Sequence, residues 1–253
     1  MRIGLFTVAG GAPLDDLVGQ ARAARDAGLA STFYGHASSF DALMTAALAG
    51  REVPGIEVGT AIVPTYPRHP LTVAGQALAA QAMTGGRFTL GVGPSHPPII
   101  EGWYGLPYER PARHVREYLT ALRPLLRGED VAYRGETLTA AGTVDAPGAT
   151  PPSVIVSALG PAMLRVAGEL ADGTVTTWTD VAAIGDHVVP AITRAAEAAG
   201  RPARACSRAS WSRSPPTRTA SAARSPSGSA PRPTSPPTAR CSNGRGWRAC
   251  TRR

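Results

Sequence analysis

The sequence predicts an α/β fold in which helices cover a mostly parallel β-sheet. Short apolar runs alternate with helical patterns along residues 1–200, six times in succession. The same stretch contains no cysteine, which excludes a disulfide framework and a cysteine-rich metal site there. It carries 14 arginines against 18 acidic residues, so the net charge of +8 of the whole chain arises elsewhere.

Six segments predict strands because each is a short apolar run, often β-branched, that ends near a turn residue. The first run is followed by Gly10 and Gly11 and is too short for a signal peptide. We therefore interpret it as a buried strand and expect a cytoplasmic protein. The predicted strands are residues 3–8, 31–35, 56–63, 87–92, 153–157 and 173–178.

Helical patterns separate these strands. The first begins at Pro13, has Asp15 and Asp16 in its first turn, where the helix dipole favours negative charge, and ends at Gly28. The others cover residues 40–50, 70–84, 110–126, 161–170 and 181–199. The helix over 110–126 is the most amphipathic, with Val115, Tyr118, Leu119, Leu122, Leu125 and Leu126 on one face. Residues 131–133 and 137–139 predict a small inserted hairpin.

Two architectures fit six successive β/α units: a TIM (β/α)8-type barrel and an open, doubly wound sheet. A barrel needs eight units, whereas the chain reaches six by residue 199. Residues 201–253 contain 12 arginines, no acidic residue, and no Val, Ile, Leu, Met, Phe or Tyr. Such a segment cannot bury enough apolar surface to fold. The sequence thus predicts a barrel-type domain over 1–205 and a disordered, basic, low-complexity tail over 206–253.

The tail has two interpretations. Arginine without any lysine indicates a GC-rich gene, as in GC-rich bacteria, and a reading-frame slip near residue 205 would yield Arg, Ser, Pro, Thr and Ala. The alternative is a native disordered tail. In either case its arginines would contact polyanions only nonspecifically. Because only Trp211 and Trp247 interleave them, we expect no specific nucleic-acid partner.

In parallel α/β folds, chemistry lies at the carboxyl ends of the strands. His36 and His96 follow predicted strands, and histidine titrates near neutral pH. The segment 157–161 ends a strand and begins a helix at Pro161, where free N–H groups would bind an anion. For His69, His114 and His187 we expect capping or surface roles. No metal-ligand spacing, phosphate loop or membrane-spanning segment is present in the sequence.

Five blocks of sequence, in this order and spacing, resemble the bacterial-luciferase-like family of TIM barrels, and within it the branch that uses the deazaflavin coenzyme F420. The resemblance extends from residue 1 to about 205. The blocks are RIGLF (2–6), VGTAIVPTYPRHP (58–70), TGGRFTLGVG (84–93), SALGP (157–161) and AGELADGT (167–174).

The resemblance implies an oxidoreductase that transfers hydride between coenzyme F420 and a small organic substrate. It implies a bulge, often with a cis peptide, behind the coenzyme ring at Ala61 and Ile62. His36 would donate a proton or polarise the substrate, and His96 lies where some relatives carry an acidic residue. Trp103 and Trp178 would line the substrate pocket or pack in the core. The implied cofactor-binding residues are Ala61, Ile62, Gly93, Ser95, Ser157, Ala158, Leu159, Gly160, Pro161 and Met163.

Three alternatives remain at this stage. The first is an FMN-dependent monooxygenase on the same barrel. The second is an inactive family member, truncated or frame-shifted, because relatives close the barrel with two further units. The third is a polyanion-binding module that acts through the tail. A homodimer is the family expectation.

Overall fold

A computed structural model describes residues 3–8, 12–36 and 39–201, together with the backbone of one strand over 205–209. Ten strands are present in these residues. They are β1 (Gly4–Val8), β2 (Ser31–Gly35), β3 (Glu57–Thr60), β4 (Val63–Pro64), β5 (Phe88–Gly93), β6 (Val131–Arg134), β7 (Thr139–Gly142), β8 (Ser153–Ser157), β9 (Gly173–Thr177) and β10 (Ala205–Ala209).

Eight helices and one π-helical segment connect the described strands. They are α1 (Leu14–Asp26), α2 (Ala42–Glu52), α3 (Pro70–Met83), α4 (Pro97–Ile100), α5 (Pro111–Leu126), α6 (Pro161–Leu170), α7 (Val181–Ala183), the π-helix Ile184–Val188 and α8 (Val189–Ala198). None of these helices combines the length and the apolar character that crossing a bilayer requires.

The main sheet is parallel throughout and follows chain order, β1-β2-β3-β5-β8-β9-β10, with β4 also pairing with β5. A doubly wound sheet reverses its strand order at a switch point, and this sheet does not. The architecture is therefore of the TIM-barrel type, as expected, and the doubly wound alternative is wrong. Within the described residues, β1 has no partner on its second edge, so the barrel is incomplete there.

The end of the sheet departs from the sequence prediction. No strand was expected beyond residue 205, yet β10 pairs with β9 over five residues, from Ala205 opposite Gly173 to Ala209 opposite Thr177. Strand pairing uses backbone N–H and C=O groups, and the free edge of β9 offers these whatever side chains arrive. The sheet therefore extends past the expected domain boundary. The rest of the predicted tail lies outside the described residues.

Three further elements differ from expectation. The strand that the apolar pattern predicts over 56–63 is divided into β3 and β4, with Ala61 and Ile62 between them, where the resemblance implied a bulge. The helix α4 was missed because four residues are too few to show a helical period. The first strand was expected to be buried, but β1 is largely half-buried and Ile3 is exposed, since β1 is an edge strand.

Most of the apolar core lies between the sheet and the surrounding helices. The predicted apolar face of α5 is fully buried there, and β6 and β7 form the expected hairpin. We call this layer the outer core. Its largest fully buried side chains are Leu17, Tyr34, Val53, Ile56, Leu90, Tyr118, Leu119, Leu122, Leu125, Leu164 and Ile192.

A second, smaller apolar cluster occupies the opposite face of the sheet. Register explains its composition, because Phe6 pairs with Phe33 and Gly91 with Ile155, and alternate residues of a strand point to the same face. Its members are partly buried apart from Ile155 and Val175, which are buried. We call it the inner-face cluster: Phe6, Phe33, Ala61, Ile62, Ile155 and Val175.

Candidate functional site

Three of the predicted cofactor residues meet at the carboxyl edge of the sheet. Gly93 ends β5, and a Cβ atom built on it would overlap Oγ of Ser157, which ends β8. The same Cβ would lie 3.3 Å from Cγ1 of Ile62. Glycine at this position therefore lets the ends of β4, β5 and β8 approach one another closely.

The link between β3 and β4 also holds the carboxyl end of β2 at this edge of the sheet. The peptide bond between Ala61 and Ile62 is cis. The N–H of Ala61 donates to the carbonyl of Tyr34 at 2.9 Å, and the carbonyl of Ile62 accepts from the N–H of His36 at 3.3 Å. The carboxyl end of β2 is thus held against the link, and His36 belongs to the same group of strand ends as Gly93.

The side chain of His36 is only 11% exposed and lies beside two charged groups that sequence reasoning missed. Its Nδ1 accepts the N–H of Ala42 at 3.5 Å and lies 4.0 Å from Oδ2 of Asp41. Asp41 caps α2 by accepting the N–H of Met44 at 3.0 Å, and its Oδ2 also accepts from Nη2 of Arg68. An aspartate directly before a helical pattern is a capping signal, which could have indicated Asp41.

Electrostatics keep this ring neutral and this carboxylate charged. Burial lowers the pKa of His36, and the Arg68 guanidinium lowers it further against the opposing effect of Asp41. Burial by itself would raise the pKa of Asp41, but the hydrogen bonds from Met44 and Arg68 outweigh it and lower that pKa. At neutral pH the site therefore presents an uncharged imidazole next to an ion pair.

The segment from Ser157 to Met163 connects β8 to α6. Ala158 is buried and donates its N–H to the carbonyl of Val175 at 3.4 Å, whereas Leu159 is exposed. The helix begins after Gly160 with no capping side chain, and Pro161 contributes no N–H. The first N–H groups of α6 are thus uncapped by side chains, as an anion-binding helix start requires.

The remaining predicted site residues are Ser95 and His96, in the loop after β5, and the two tryptophans Trp103 and Trp178. Ser95 has a left-handed backbone, with φ of 64°, and its carbonyl accepts from the Tyr108 hydroxyl at 3.1 Å. His96 precedes α4 and is exposed. Trp103 and Trp178 are 61% and 83% exposed, so core packing is the wrong interpretation for both.

A partly buried aromatic cluster next to the end of β4 was also missed. His114 stacks on Tyr66 with ring centroids 3.9 Å apart, and its Nε2 lies 3.1 Å from Oγ1 of Thr65. Thr65 in turn donates its N–H to the carbonyl of Gly93 at 2.9 Å. Burial lowers the pKa of His114 to about 4, against the opposing charge of Glu117. The surface or capping role expected for His114 is wrong, because the fourth residue of α5 faces the β4 loop.

The other two histidines behave as expected. His69 is the N-cap of α3, where its Nδ1 accepts the N–H of Leu71 at 3.3 Å. His187 is exposed within the π-helical segment. A cavity of about 210 Å³ lies at the opposite, amino edge of the sheet. Two of its three charged lining residues, Arg123 on α5 and Asp172 directly before β9, form an ion pair at 3.2 Å that links these two elements.

Comparison with known proteins agrees with the fold. The family model described as luciferase-like monooxygenase matches residues 1–249. The chain belongs to the luciferase-like monooxygenase family. Among curated relatives of this luciferase-like chain is a protein of Mycobacterium tuberculosis that is provisionally named a coenzyme F420-dependent oxidoreductase. It is 32% identical over 165 residues, which cover 60% of this chain and 48% of the relative.

Solved structures share the fold. The coenzyme F420-dependent tetrahydromethanopterin reductase from Methanopyrus kandleri matches with a TM-score of 0.72 and 24% identity, over 82% of this chain and 65% of that one. An oxygenating constituent of 3,6-diketocamphane monooxygenase from Pseudomonas putida, in complex with FMN, matches with a TM-score of 0.67 and 20% identity, over 80% and 64%. The luciferase-like chain spans about half the length of the curated relatives it matches.

Proposed function

We propose that this chain binds coenzyme F420 at the carboxyl edge of the sheet and transfers hydride between the coenzyme and a small organic substrate. The observation that carries the proposal is the convergence of His36, Ile62, Gly93 and Ser157 at one edge. These four residues are widely separated in sequence. The names of the curated relative and of the Methanopyrus enzyme support F420 as the coenzyme.

The residues present fit a planar, largely apolar ring with an anionic side chain. The inner-face cluster offers half-buried apolar side chains, among them Ile62 and Phe33, against which a ring would exclude water. Gly93 lets Ser157 lie directly against the end of β5, where a Cβ would overlap its Oγ, so the strand ends form one continuous surface. The start of α6, from Ser157 to Met163, offers uncapped N–H groups for a phosphate.

When bound, coenzyme F420 supplies the position that accepts or donates hydride. In this proposal His36 donates the accompanying proton to the substrate oxygen or accepts it from there. Its ring is neutral, and Nε2 is the nitrogen that Ala42 does not contact. His96 and Ser95, from the loop after β5, and the exposed Trp103 and Trp178 are proposed to face the substrate. The exposure of His96, Trp103 and Trp178 leaves these three side chains free for this role.

The second candidate is an FMN-dependent monooxygenase. The specific observation in its favour is the likeness to the Pseudomonas putida protein, which was solved with FMN. FMN shares with F420 a planar ring and a phosphate, so the same strand ends would receive it. Cofactor preference separates the two candidates.

We propose that residues 1–205 form the catalytic unit, to whose sheet the next four residues add the rest of β10. Homodimer formation is expected. The basic segment 206–253 is proposed to derive from a frame shift. Sequencing the coding DNA tests whether the segment 206–253 derives from a frame shift. We expect a shifted frame beyond codon 205 to encode further strand and helix patterns. If no frame encodes them, the segment is native.

A fluorescence titration of the full chain with coenzyme F420, with FMN in parallel, tests the cofactor proposal. We expect saturable binding with preference for F420. Gly93→Ala should weaken it about tenfold, because the new methyl displaces Ser157 Oγ. The matched control is Gly19→Ala, where a Cβ meets nothing within 4 Å. Binding of FMN alone would favour the monooxygenase, and binding of neither would contradict a working cofactor site.

A further inference from the structure

The ring nitrogen Nδ1 of His36 has two competing partners. It lies 3.5 Å from the N–H of Ala42, at the long end of the hydrogen-bond range, and 4.0 Å from Oδ2 of Asp41. If Nδ1 is unprotonated it accepts from Ala42, and if it is protonated it donates towards Asp41. The two options correspond to different tautomers of the neutral ring.

Arg68 changes the balance between these options. Its guanidinium donates to Oδ2 of Asp41, the same oxygen that lies nearest to His36. A second hydrogen bond, from the N–H of Met44 to Oδ1, holds the other carboxylate oxygen at 3.0 Å. Both oxygens of Asp41 are therefore engaged, which weakens the carboxylate as an acceptor for an Nδ1 proton.

The backbone around Arg68 keeps the guanidinium in place. The N–H of Arg68 donates to the carbonyl of Thr65 at 3.2 Å, and the next residue, His69, caps α3. The arginine side chain is 18% exposed, so the ion pair is largely shielded from water. In the described part of the chain, Asp41 and Arg68 are the charged groups that act on His36.

We propose that Arg68 is a positioning residue for His36. By engaging the Asp41 carboxylate, it leaves Nδ1 of His36 to accept the Ala42 N–H, so that the neutral ring carries its proton on Nε2. The start of α2 adds to this effect, because the positive end of a helix dipole disfavours an imidazolium. This inference rests on the proposed function, in which the Nε2 proton serves the substrate oxygen.

The test is an NMR titration of the ¹⁵N-histidine-labelled full chain without coenzyme. Loss of one signal in His36→Gln assigns His36 among the five histidines. We expect the neutral wild-type ring to carry its proton on Nε2. Arg68→Gln should raise the pKa of His36 and move the neutral ring towards the Nδ1–H form, because Asp41 is then free to accept.

Asp41→Asn should have the opposite effect. It removes the only nearby negative charge that acts on His36 in the described residues, so the pKa of His36 should fall. Asparagine caps helices as well as aspartate does, so this variant keeps the start of α2 even if Arg68→Gln folds poorly. Arg22→Gln, which removes the partner of Glu52 in a half-exposed pair 3.9 Å apart, is the matched control and should leave the titration unchanged.

Opposite shifts in the two variants support the positioning role, because a merely structural defect would not reverse sign. A wild-type ring with its proton on Nδ1 would overturn it, as would an unchanged or same-direction response of the two variants. The measurement needs no coenzyme. If F420 fails to bind while the NMR result holds, the proposed function fails alone, and the converse result refutes only the role of Arg68.

Discussion

The two faces of the parallel sheet differ in how completely they are covered. On the outer face, helices bury side chains such as Leu90, Leu119 and Leu122 completely. On the inner face, Phe6 and Phe33 are only partly buried, and just Ile155 and Val175 of that cluster are buried. The same strands supply both faces, since alternate residues point in opposite directions.

Because of this difference, the outer face provides most of the stability, whereas the inner face borders the candidate site. Burial of apolar area provides most of the stabilisation of a fold, so the outer core holds the described part of the chain together. The inner face borders the proposed cofactor position, where Ile62 contacts the strand ends. In a closed barrel this face is filled from all sides. The candidate site therefore uses inner-face side chains that contribute little to the stability supplied by the outer core.

Leu122→Ala tests the outer core and should have the largest effect. The side chain is fully buried, and we expect the free energy of unfolding to fall by about 3 kcal/mol. Urea denaturation followed by circular dichroism measures it. Met44→Ala, on the exposed side of α2, is the control and should change it by less than about 0.5 kcal/mol. A similar loss in both variants would contradict the packing described for the outer face.

The buried side chain of His114 should make the free energy of unfolding depend on pH. Burial lowers the pKa of His114 to about 4, whereas the pKa of an unfolded histidine is about 6.5. Between these values the unfolded chain binds more protons, so stability falls as the pH is lowered. We expect a loss of about 2 kcal/mol over this window. Unfolding measured at several pH values checks it.

Two variants isolate the contribution of His114. His114→Phe keeps a ring beside Tyr66 and His114→Gln keeps a polar group, but neither titrates. Both should lose much of the decline in stability between the two pKa values. If both retain the wild-type pH dependence, the decline has another origin, and His114 is not held neutral.

Phe33→Ala tests the inner face and should have the smallest effect of the three. Its ring is only partly buried, so truncation should lower the free energy of unfolding by about 1 kcal/mol. Urea denaturation of both variants in parallel compares their losses in the free energy of unfolding. A loss as large as that of Leu122→Ala would mean that the inner face is closed in the native protein by residues beyond those described.

Much of the fold could be predicted from the sequence because its signals are local. The apolar face of α5 and the strand at Ser153–Ser157 follow from periodicity within a few residues. The break at Ala61 and Ile62 could not be located from periodicity, because β-branched residues continue across it. Nor could β10, since its pairing depends on the free edge of β9.

Some residues of the candidate site could likewise be predicted from the sequence, and others could not. Strand ends such as His36 and Gly93 were predicted, because chemistry in these folds lies at carboxyl edges. Arg68 lay within a motif already noted, but nothing in the sequence paired it with Asp41, 27 residues earlier. His114 was misassigned because a residue near a helix start can face either solvent or a neighbouring loop.

By itself, the sequence determined the order of strands and helices, the apolar faces that build the outer core, and the strand ends where the site lies. These follow from the alternation of polar and apolar residues, which backbone geometry converts into secondary structure. Only the tertiary structure decided which strand ends meet, that the strand order does not reverse, and that Arg68 and Asp41 flank His36. Such contacts join residues far apart in the chain, and only the packing of the sheet against its helices brings them together.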